Sequence, residues 1–285
     1  MTTLAQAPPG TDARDYRFTT AHFRFVQQRI HQLAGIALLD SKQDMVYSRL
    51  MRRLRALRID DFDQYLAIVK NDAHPEVEAF VNALTTNLTA FFREAHHFER
   101  LITHLRRSNA PRPLKIWCAA ASTGEEPWSL AITACEAFNT LRPPVEIIAT
   151  DIDTDALAAA ASGRYPLSRL APLSVDQKRN FFLRGKGAHD GFARVRPELT
   201  GLIRFENWNL LSRQPPPWRD VDAVFCRNVM IYFDKPTQLH VLEQIRAVIR
   251  PDGLMFAGHS ESFFHAQHLF RSLGQTVYAP VAAHK

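Results

Sequence analysis

The feature that most constrains the fold is a change of hydrophobic rhythm near residue 113. Before it, through residues 18–107, apolar residues recur at helical spacing. After it, short apolar runs such as Leu114–Cys118 and Val145–Thr150 alternate with helical segments. Alternation of this kind is typical of a mostly parallel sheet with helices on both faces. The sequence therefore predicts an all-helical N-terminal domain followed by a doubly wound α/β domain.

The remaining boundaries follow from local composition. Residues 1–17 lack the basic start and apolar core of a signal peptide, and we expect a disordered tail. The proline-containing segment 108–113 predicts a linker, after which residues 114–285 form the α/β domain. Within that domain the alternation breaks at about 163–205. Glycine turns and the alternating run at 192–196 predict a small inserted antiparallel β lobe there.

Composition excludes several classes of protein. With 46% hydrophobic and 22% charged residues the chain is globular, and no apolar run reaches the roughly 18–20 residues that span a bilayer, so no membrane insertion is expected. The cysteines are scattered without a C-x-x-C pair, which predicts reduced thiols and a cytoplasmic location. His96 and His97 are adjacent and lack the H-E-x-x-H spacing, so no metal site is expected. The net charge of +6 suits an acidic partner but does not by itself indicate nucleic acid.

The loop after the first strand, in WCAAASTGEEPWSLA at 117–131, indicates a ligand. A strand–loop–helix of this kind often cradles a nucleotide, but the Gly-x-Gly-x-x-Gly fingerprint is absent and Glu125 and Glu126 would repel a phosphate. Asp151, at the end of the second strand, is placed to accept hydrogen bonds from ribose. A cationic nucleoside without phosphate fits, which favours S-adenosylmethionine. NAD and a purely structural turn remain alternatives from this loop alone.

Six motifs together closely resemble the chemotaxis receptor methyltransferases, the CheR family. They are TTNLTAFFRE (85–94), AAASTGEEPWSLA (119–131), ATDIDTDAL (149–157), NLL (209–211), FCRNVMIYFD (225–234) and GHSES (258–262). The resemblance runs from about residue 20 to the C-terminus. It implies methyl transfer from S-adenosylmethionine to glutamate side chains of chemoreceptors during adaptation. It also implies a helical N-terminal domain and a doubly wound methyltransferase domain with an inserted β lobe.

The resemblance assigns cofactor contacts residue by residue. They are Asn87, Thr89, Arg93, Glu125, Asp151, Asn209, Leu210, Arg227 and Asn228. Asp151 would take the ribose hydroxyls, and Asn209 and Leu210 would lie near the adenine. Asn228 is expected to bind the methionine moiety. Arg227 either does the same or pairs with a carboxylate of the protein.

The implied reaction asks little of the side chains, because a glutamate carboxylate with a pKa of about 4.3 is already ionised at neutral pH. The enzyme must align oxygen, methyl and sulfur and exclude water. Arg93 is expected to orient the carboxylate, and Tyr232 to donate a hydrogen bond to its second oxygen or to border the methyl group. A capping or surface ion-pair role for Arg93, and simple packing for Tyr232, are the alternatives.

Two basic segments are candidates for substrate docking. A helix predicted over 42–58 carries Arg49, Arg52, Arg53 and Arg55, and its charge would steer Glu-rich receptor helices. The β lobe resembles the family subset that binds the receptor C-terminal pentapeptide Asn-Trp-Glu-Thr-Phe, with Arg194 or Arg196 pairing with the peptide. A solvated basic face and a structural hairpin are the respective alternatives.

Two other function classes fit parts of the sequence. One is a methyltransferase for another acidic substrate or for nucleic acid, but the Asn/Asp-Pro-Pro-aromatic loop of amine methylators is replaced here by Arg227-Asn-Val-Met. Another is a non-catalytic adaptor, against which the intact Arg93, Asp151 and Tyr232 argue. We expect a cytoplasmic monomer whose partners are chemoreceptors and not nucleic acid.

Overall fold

The computed structural model describes residues 16–108 and 111–282. Of the tail predicted at 1–17, all but Tyr16 and Arg17 lie outside these described residues. Tyr16 packs edge-on against Phe62, with ring centroids 6.5 Å apart, so the packed region begins before the first helix.

Five helices precede the sheet in the described part of the chain. They are α1 (Thr20–Ala34), α2 (Gln43–Leu57), α3 (Phe62–Val69), α4 (Glu76–Leu84) and α5 (His96–Arg107). The start of α1 is set by Thr19, whose side chain accepts a hydrogen bond from the backbone of His22, and Asp61 caps α3 in the same way through Gln64. The buried faces of α1 to α4 share one apolar core.

The fifth helix belongs to a different core. Phe98, Leu101 and Leu105 of α5 pack with the main sheet and with α6 (Glu125–Phe138). Helical periodicity alone groups α5 with its predecessors, because it records which face is buried and not what buries it. The division of the chain into domains stays a prediction.

The main sheet has seven strands within the described residues, in the order β6-β2-β1-β7-β8-β10-β9. The strands are β1 (Leu114–Cys118), β2 (Val145–Asp151), β6 (Ile203–Asn207), β7 (Val221–Phe225), β8 (Ile249–Phe256), β9 (Phe270–Ser272) and β10 (Val277–Pro280). The first five in this spatial order are parallel, and the last two form an antiparallel edge. α7 (Thr154–Ser162) follows β2 and α10 (Lys235–Val248) follows β7. The predicted fold class is confirmed, and the strand order reverses between β1 and β7, where ligands bind in such sheets.

A small antiparallel sheet lies between α7 and β6. Its strands in this described stretch are β3 (Arg164–Pro166), β4 (Phe182–Arg184) and β5 (Phe192–Val195), in the order β3-β5-β4. The predicted β lobe is therefore present, but it also contains α8 (Val175–Phe181) and the four-residue α9 (Pro197–Thr200). β6, which falls inside the range predicted for the lobe, pairs instead with β2 in the main sheet.

Two further features concern the class of protein. Cys118, Cys135 and Cys226 are free and buried. No helix in the described ranges is both long and apolar enough to cross a membrane.

Candidate active site

A cavity of about 590 Å³ opens where β1 and β2 end, beside the reversal of strand order. This volume lies within the range of small-molecule sites. Several predicted site residues line it: Arg49, Asn87, Thr89, Arg93, Asp151, Asn209, Leu210, Arg227, Asn228 and Tyr232. Segments far apart in sequence thus converge on one cavity.

Asp151 lies at the end of β2, in the part of the wall that we call the floor together with Glu126, Arg227 and Asn228. Its carboxylate accepts hydrogen bonds from the backbone N–H groups of Ser122 at 2.7 Å and Asp153 at 2.9 Å. Burial raises the pKa of Asp151, and these donors oppose the rise. A carboxylate has about four acceptor positions, so capacity remains for the hydroxyls of a ligand.

Asn87 holds the ligand loop. Its Nδ2 donates to Asp153 at 2.7 Å, and its Oδ1 accepts from the hydroxyl of Ser122 at 3.0 Å. Thr89, two residues on, accepts at its backbone oxygen from Arg169 of the β lobe, at 3.1 Å. Both polar ends of the Asn87 side chain are engaged, so it shapes the cavity wall by fixing the loop.

Arg227 is fully buried between two carboxylates. Its Nη1 donates to Glu126 at 2.7 Å, and its Nη2 lies 3.3 Å from Glu94 and also donates to the backbone oxygen of Arg93. Burial raises the pKa of Glu126, and the guanidinium charge opposes that rise. Of the two roles left open by the sequence, the structure supports pairing with protein carboxylates.

The two acids that begin α6 lie in different surroundings. Glu126 lines the cavity, whereas Glu125 is 1% exposed and lies outside the lining. The carboxylate of Glu125 accepts from the hydroxyl of Thr123 at 2.7 Å and lies 3.4 Å from Arg169. Neighbouring helical residues point about 100° apart, and a motif containing both does not say which one faces the ligand. This corrects the expected position of Glu125.

The GHSES motif supports the loop that carries Asn228. Glu261, only 4% exposed, accepts from the backbone N–H groups of Asn228 at 2.9 Å and Met230 at 2.8 Å. A Cβ on Gly258 would lie 2.2 Å from the side chain of Asn228, whose own φ is 58°. The motif is one of the six that carry the family resemblance, but the sequence analysis assigned no role to Glu261. An acid just after a buried strand was the available signal.

The two predicted catalytic residues line the cavity from different segments of the chain. Arg93 is half-buried and donates from Nη1 to the backbone oxygen of Leu88 at 3.1 Å. Tyr232 is half-buried on the turn Met230–Tyr232, and its backbone oxygen accepts from Ala37 at 2.8 Å. The latter bond joins the helical region to the loop after β7.

The residues expected near adenine combine a fixed amide with an apolar surface. Asn209 donates to the backbone oxygen of Leu33 at 2.7 Å and accepts from the N–H of Leu211 at 2.9 Å. Leu210, Trp208 and Ile152 supply apolar lining close to it in sequence or at the end of β2. The cavity therefore combines an apolar wall with the carboxylate of Asp151.

The predicted docking arginines divide into groups. Arg53 makes a bidentate pair with Glu76, at 2.8 and 2.7 Å, and that acid is 5% exposed. Arg49 is half-buried and donates to the backbone oxygen of Thr85. Arg52 and Arg55 are exposed on α2. Helical spacing identified a basic helix, but two of its cations are engaged in holding α2 against its neighbours.

The arginines of the lobe also differ from one another. Arg194 is exposed in β5, directly opposite Arg164 of β3 and Leu183 of β4. Arg196, beyond the end of β5, donates to the backbone oxygen of Arg179 at 3.2 Å. Arg194 therefore has the accessibility that peptide docking requires. No group of His, Cys, Asp and Glu with metal-binding geometry occurs among the residues that the structure describes.

Comparison with known families decides what kind of site this is. A model described as "CheR methyltransferase, all-alpha domain" matches residues 21–85, and "CheR methyltransferase, SAM binding domain" matches residues 87–279. The chain belongs to the CheR methyltransferase family. It is an S-adenosylmethionine-dependent methyltransferase, and the choice between this cofactor and NAD, left open by the ligand loop, is resolved.

Individual relatives agree with the family assignment. Chemotaxis protein methyltransferase 2 of Pseudomonas aeruginosa is 54% identical over 269 residues, covering 94% of this chain and 95% of that protein. The chemotaxis protein methyltransferase of Salmonella typhimurium is 52% identical over 263 residues, covering 91% and 90% respectively. That of Escherichia coli is 50% identical over 260 residues, also covering 91% and 90%. The similarity extends over both the helical region and the sheet.

Proposed function

We propose that this CheR-family chain is a cytoplasmic, monomeric protein-glutamate O-methyltransferase that esterifies glutamate side chains of chemoreceptors in adaptation. The observation that carries the proposal is the set of groups at the cavity. Lys42, Arg49 and Arg93 supply positive charge, whereas the acids Glu126 and Asp151 are already engaged by protein donors. The positive charge of these three residues attracts a carboxylate.

The absence of an evident base supports the same substrate. No histidine or cysteine is among the described residues that line the cavity. An amine or hydroxyl nucleophile would have to lose a proton, which normally calls for a positioned base. A glutamate carboxylate carries its nucleophilic lone pair at neutral pH, because its pKa is about 4.3.

In this proposal each wall of the cavity has a task. Asp151 accepts the ribose hydroxyls, Leu210 covers the base, and Asn228 binds the methionine moiety. Arg227 acts through Glu126 and Glu94, which it holds in place. These positions are fixed by buried hydrogen bonds before a ligand arrives, which lowers the cost of binding.

Bound S-adenosylmethionine supplies a methyl group made electrophilic by its positively charged sulfur. Arg93 orients the substrate carboxylate with its fork of donors, and Tyr232 donates a hydrogen bond to the second oxygen. The free carboxylate oxygen forms the bond to the methyl carbon as the carbon–sulfur bond breaks. The electron pair of the broken carbon–sulfur bond stays with sulfur. No proton moves, so the side chains contribute alignment and exclusion of water.

The receptor would be held by two surfaces. Arg52 and Arg55 on the exposed face of α2 steer acidic helices by charge complementarity. In the lobe, a pentapeptide strand would add along the edge strand β4, beside Leu183 and Arg194, which lie opposite each other. Such a tether raises the local concentration of receptor to about the millimolar range.

Transfer of tritiated methyl from S-adenosylmethionine to a chemoreceptor cytoplasmic fragment tests the main proposal. We expect label on the fragment that mild alkali releases as volatile methanol, since a methyl ester hydrolyses and a methylated amine does not. A fragment with its acceptor glutamates changed to alanine is the control. Alkali-stable label, or label on RNA and none on the receptor, would contradict the proposal.

Titration of the free pentapeptide tests the tether separately. We expect micromolar binding that is weakened in Arg194→Glu and retained in Arg213→Glu, an exposed arginine outside the lobe. Absence of binding at millimolar peptide would remove the tether and leave receptor docking to α2.

A further inference from the structure

The opening of the cavity carries apolar side chains that the proposed reaction does not use. Leu39, Leu88 and Ile231 all belong to the cavity lining, yet they are 67%, 77% and 51% exposed. A single exposed apolar residue is ordinary, but several that converge on one opening indicate an interaction surface. We call these three residues the apolar rim.

The backbone of the rim is anchored at each of its segments. Next to Leu39, Gln27 donates to the backbone oxygen of Leu38 at 2.8 Å, and Asp40 accepts from Arg24 at 2.8 Å. The segment that carries Leu39 is therefore held in place by hydrogen bonds.

The other two rim residues are held just as firmly. Leu88 lies between Asn87 and Thr89, which are tied to Asp153 and to the β lobe, and its own backbone oxygen accepts from Arg93. Ile231 follows Met230, whose N–H donates to the buried Glu261 at 2.8 Å. An anchored backbone that presents apolar groups to water is preorganised for a partner.

Charge decides which partner fits the rim. Lys42, Arg49 and Arg93 line the same cavity, whereas its acids, Glu126 and Asp151, belong to the floor. A complementary surface must therefore combine carboxylates with uncharged or apolar groups. A helix does this when an uncharged residue lies three or four positions from a glutamate, because the two then share one face.

We propose that the apolar rim docks the uncharged positions one helical turn from the acceptor glutamate, and so selects which glutamates are methylated. This inference rests on the proposed function and names its specificity element. The occupant is the substrate helix, seated with its acceptor carboxylate toward Arg93 and its uncharged side chains against Leu39, Leu88 and Ile231.

The enzyme-side test uses the double variant Leu88→Asn/Ile231→Asn, with Phe264→Asn as a matched control that is 80% exposed outside the cavity lining. A receptor fragment without the C-terminal pentapeptide removes the tether from the measurement. We expect KM for the fragment to rise about tenfold in the double variant, with kcat and the Kd of S-adenosylhomocysteine within about twofold of wild type. The control is expected to match wild type.

The substrate-side test replaces the uncharged residues three and four positions from the acceptor glutamate with aspartate. For the wild-type enzyme this change is expected to raise KM about as much as the rim variant does. For the double variant it adds little, since the two changes remove the same contact.

The outcomes separate the two proposals. If wild type methylates neither this fragment nor one that keeps the pentapeptide, the proposed function fails. If wild type methylates this fragment but the double variant keeps the KM of Phe264→Asn, or if the two changes are additive, only the rim inference is overturned. Concentration-dependent self-association of wild type that the double variant loses would also overturn it, by assigning the rim to a second copy of the chain.

Discussion

The floor of the cavity and its rim differ in almost every physical respect. In the floor, Arg227 is fully buried between Glu126 and Glu94, and Asp151 accepts from two backbone N–H groups. In the rim, Leu88 is 77% exposed, and the structure gives its side chain no enclosing core. The difference teaches how one cavity serves two ligands. A floor whose charged groups are held by ion pairs and hydrogen bonds suits one small molecule of fixed shape, and an open rim suits a variable macromolecular surface.

The largest expected effect comes from breaking the floor at Arg227. Arg227→Met leaves the carboxylates of Glu126 and Glu94 buried without their counter-charge, which costs about 3–5 kcal/mol. Urea denaturation measures the loss. Arg52→Met, which removes an exposed cation from α2, is the control and should change stability by less than about 0.5 kcal/mol. If Arg227→Met destabilises no more than the control, the floor is not held by this ion pair.

The next effect concerns the cofactor alone. Asp151→Asn removes a charged acceptor from the ribose hydroxyls, and we expect it to weaken S-adenosylhomocysteine binding by about 1–3 kcal/mol. Asp155→Asn, at an exposed position of α7, should leave affinity unchanged. Calorimetry provides the comparison, with NAD as a ligand that neither variant binds. Equal affinities in the two variants would remove Asp151 from the cofactor site.

A third expected effect is a pH dependence of stability that comes from Glu94, beside the floor. Burial alone would raise the pKa of Glu94, but the charge of Arg227 and hydrogen bonds from His259 lower it to about 2 from an ordinary 4.5. A lowered carboxyl pKa contributes stability that is fully present above pH 4.5 and is lost as the pH falls toward 2. Glu94→Gln should therefore be less stable than wild type at pH 7, with the difference shrinking through that window. A difference that stays constant down to pH 2 would show that charge is not its cause.

Much of this arrangement was predictable, and the misses have physical reasons. Strand–helix alternation and the end of β2 located Asp151, because parallel strands bring their carboxyl ends to one edge of a sheet. That Glu126 lines the cavity, and Glu125 does not, was not predictable from a motif that contains both. The pairing of Arg53 with Glu76 was also invisible, since it joins α2 to α4 across 23 residues of sequence. The local sequence pattern identifies a charged helix face, and tertiary packing decides which charges on that face form ion pairs within the protein.

The smallest expected effect lies on α2, which follows Leu39 of the rim in the chain. Arg52→Glu/Arg55→Glu reverses two exposed charges on α2, so it should raise KM for a receptor fragment without the pentapeptide by about tenfold or less at low salt. The effect should fade as ionic strength rises, because exposed charges are screened beyond about 10 Å at 0.1 M salt. Affinity for S-adenosylhomocysteine should not change.

The variant Arg53→Glu is the comparison for that experiment. It places an acid against the buried Glu76, so it should lower the free energy of unfolding by more than Arg52→Glu does. Loss of receptor affinity without loss of stability assigns Arg52 and Arg55 to docking and Arg53 to the fold. If the exposed pair changes neither KM nor its salt dependence, steering by α2 is wrong. Recognition of the substrate would then rest on the rim, where the contacts are apolar and insensitive to salt.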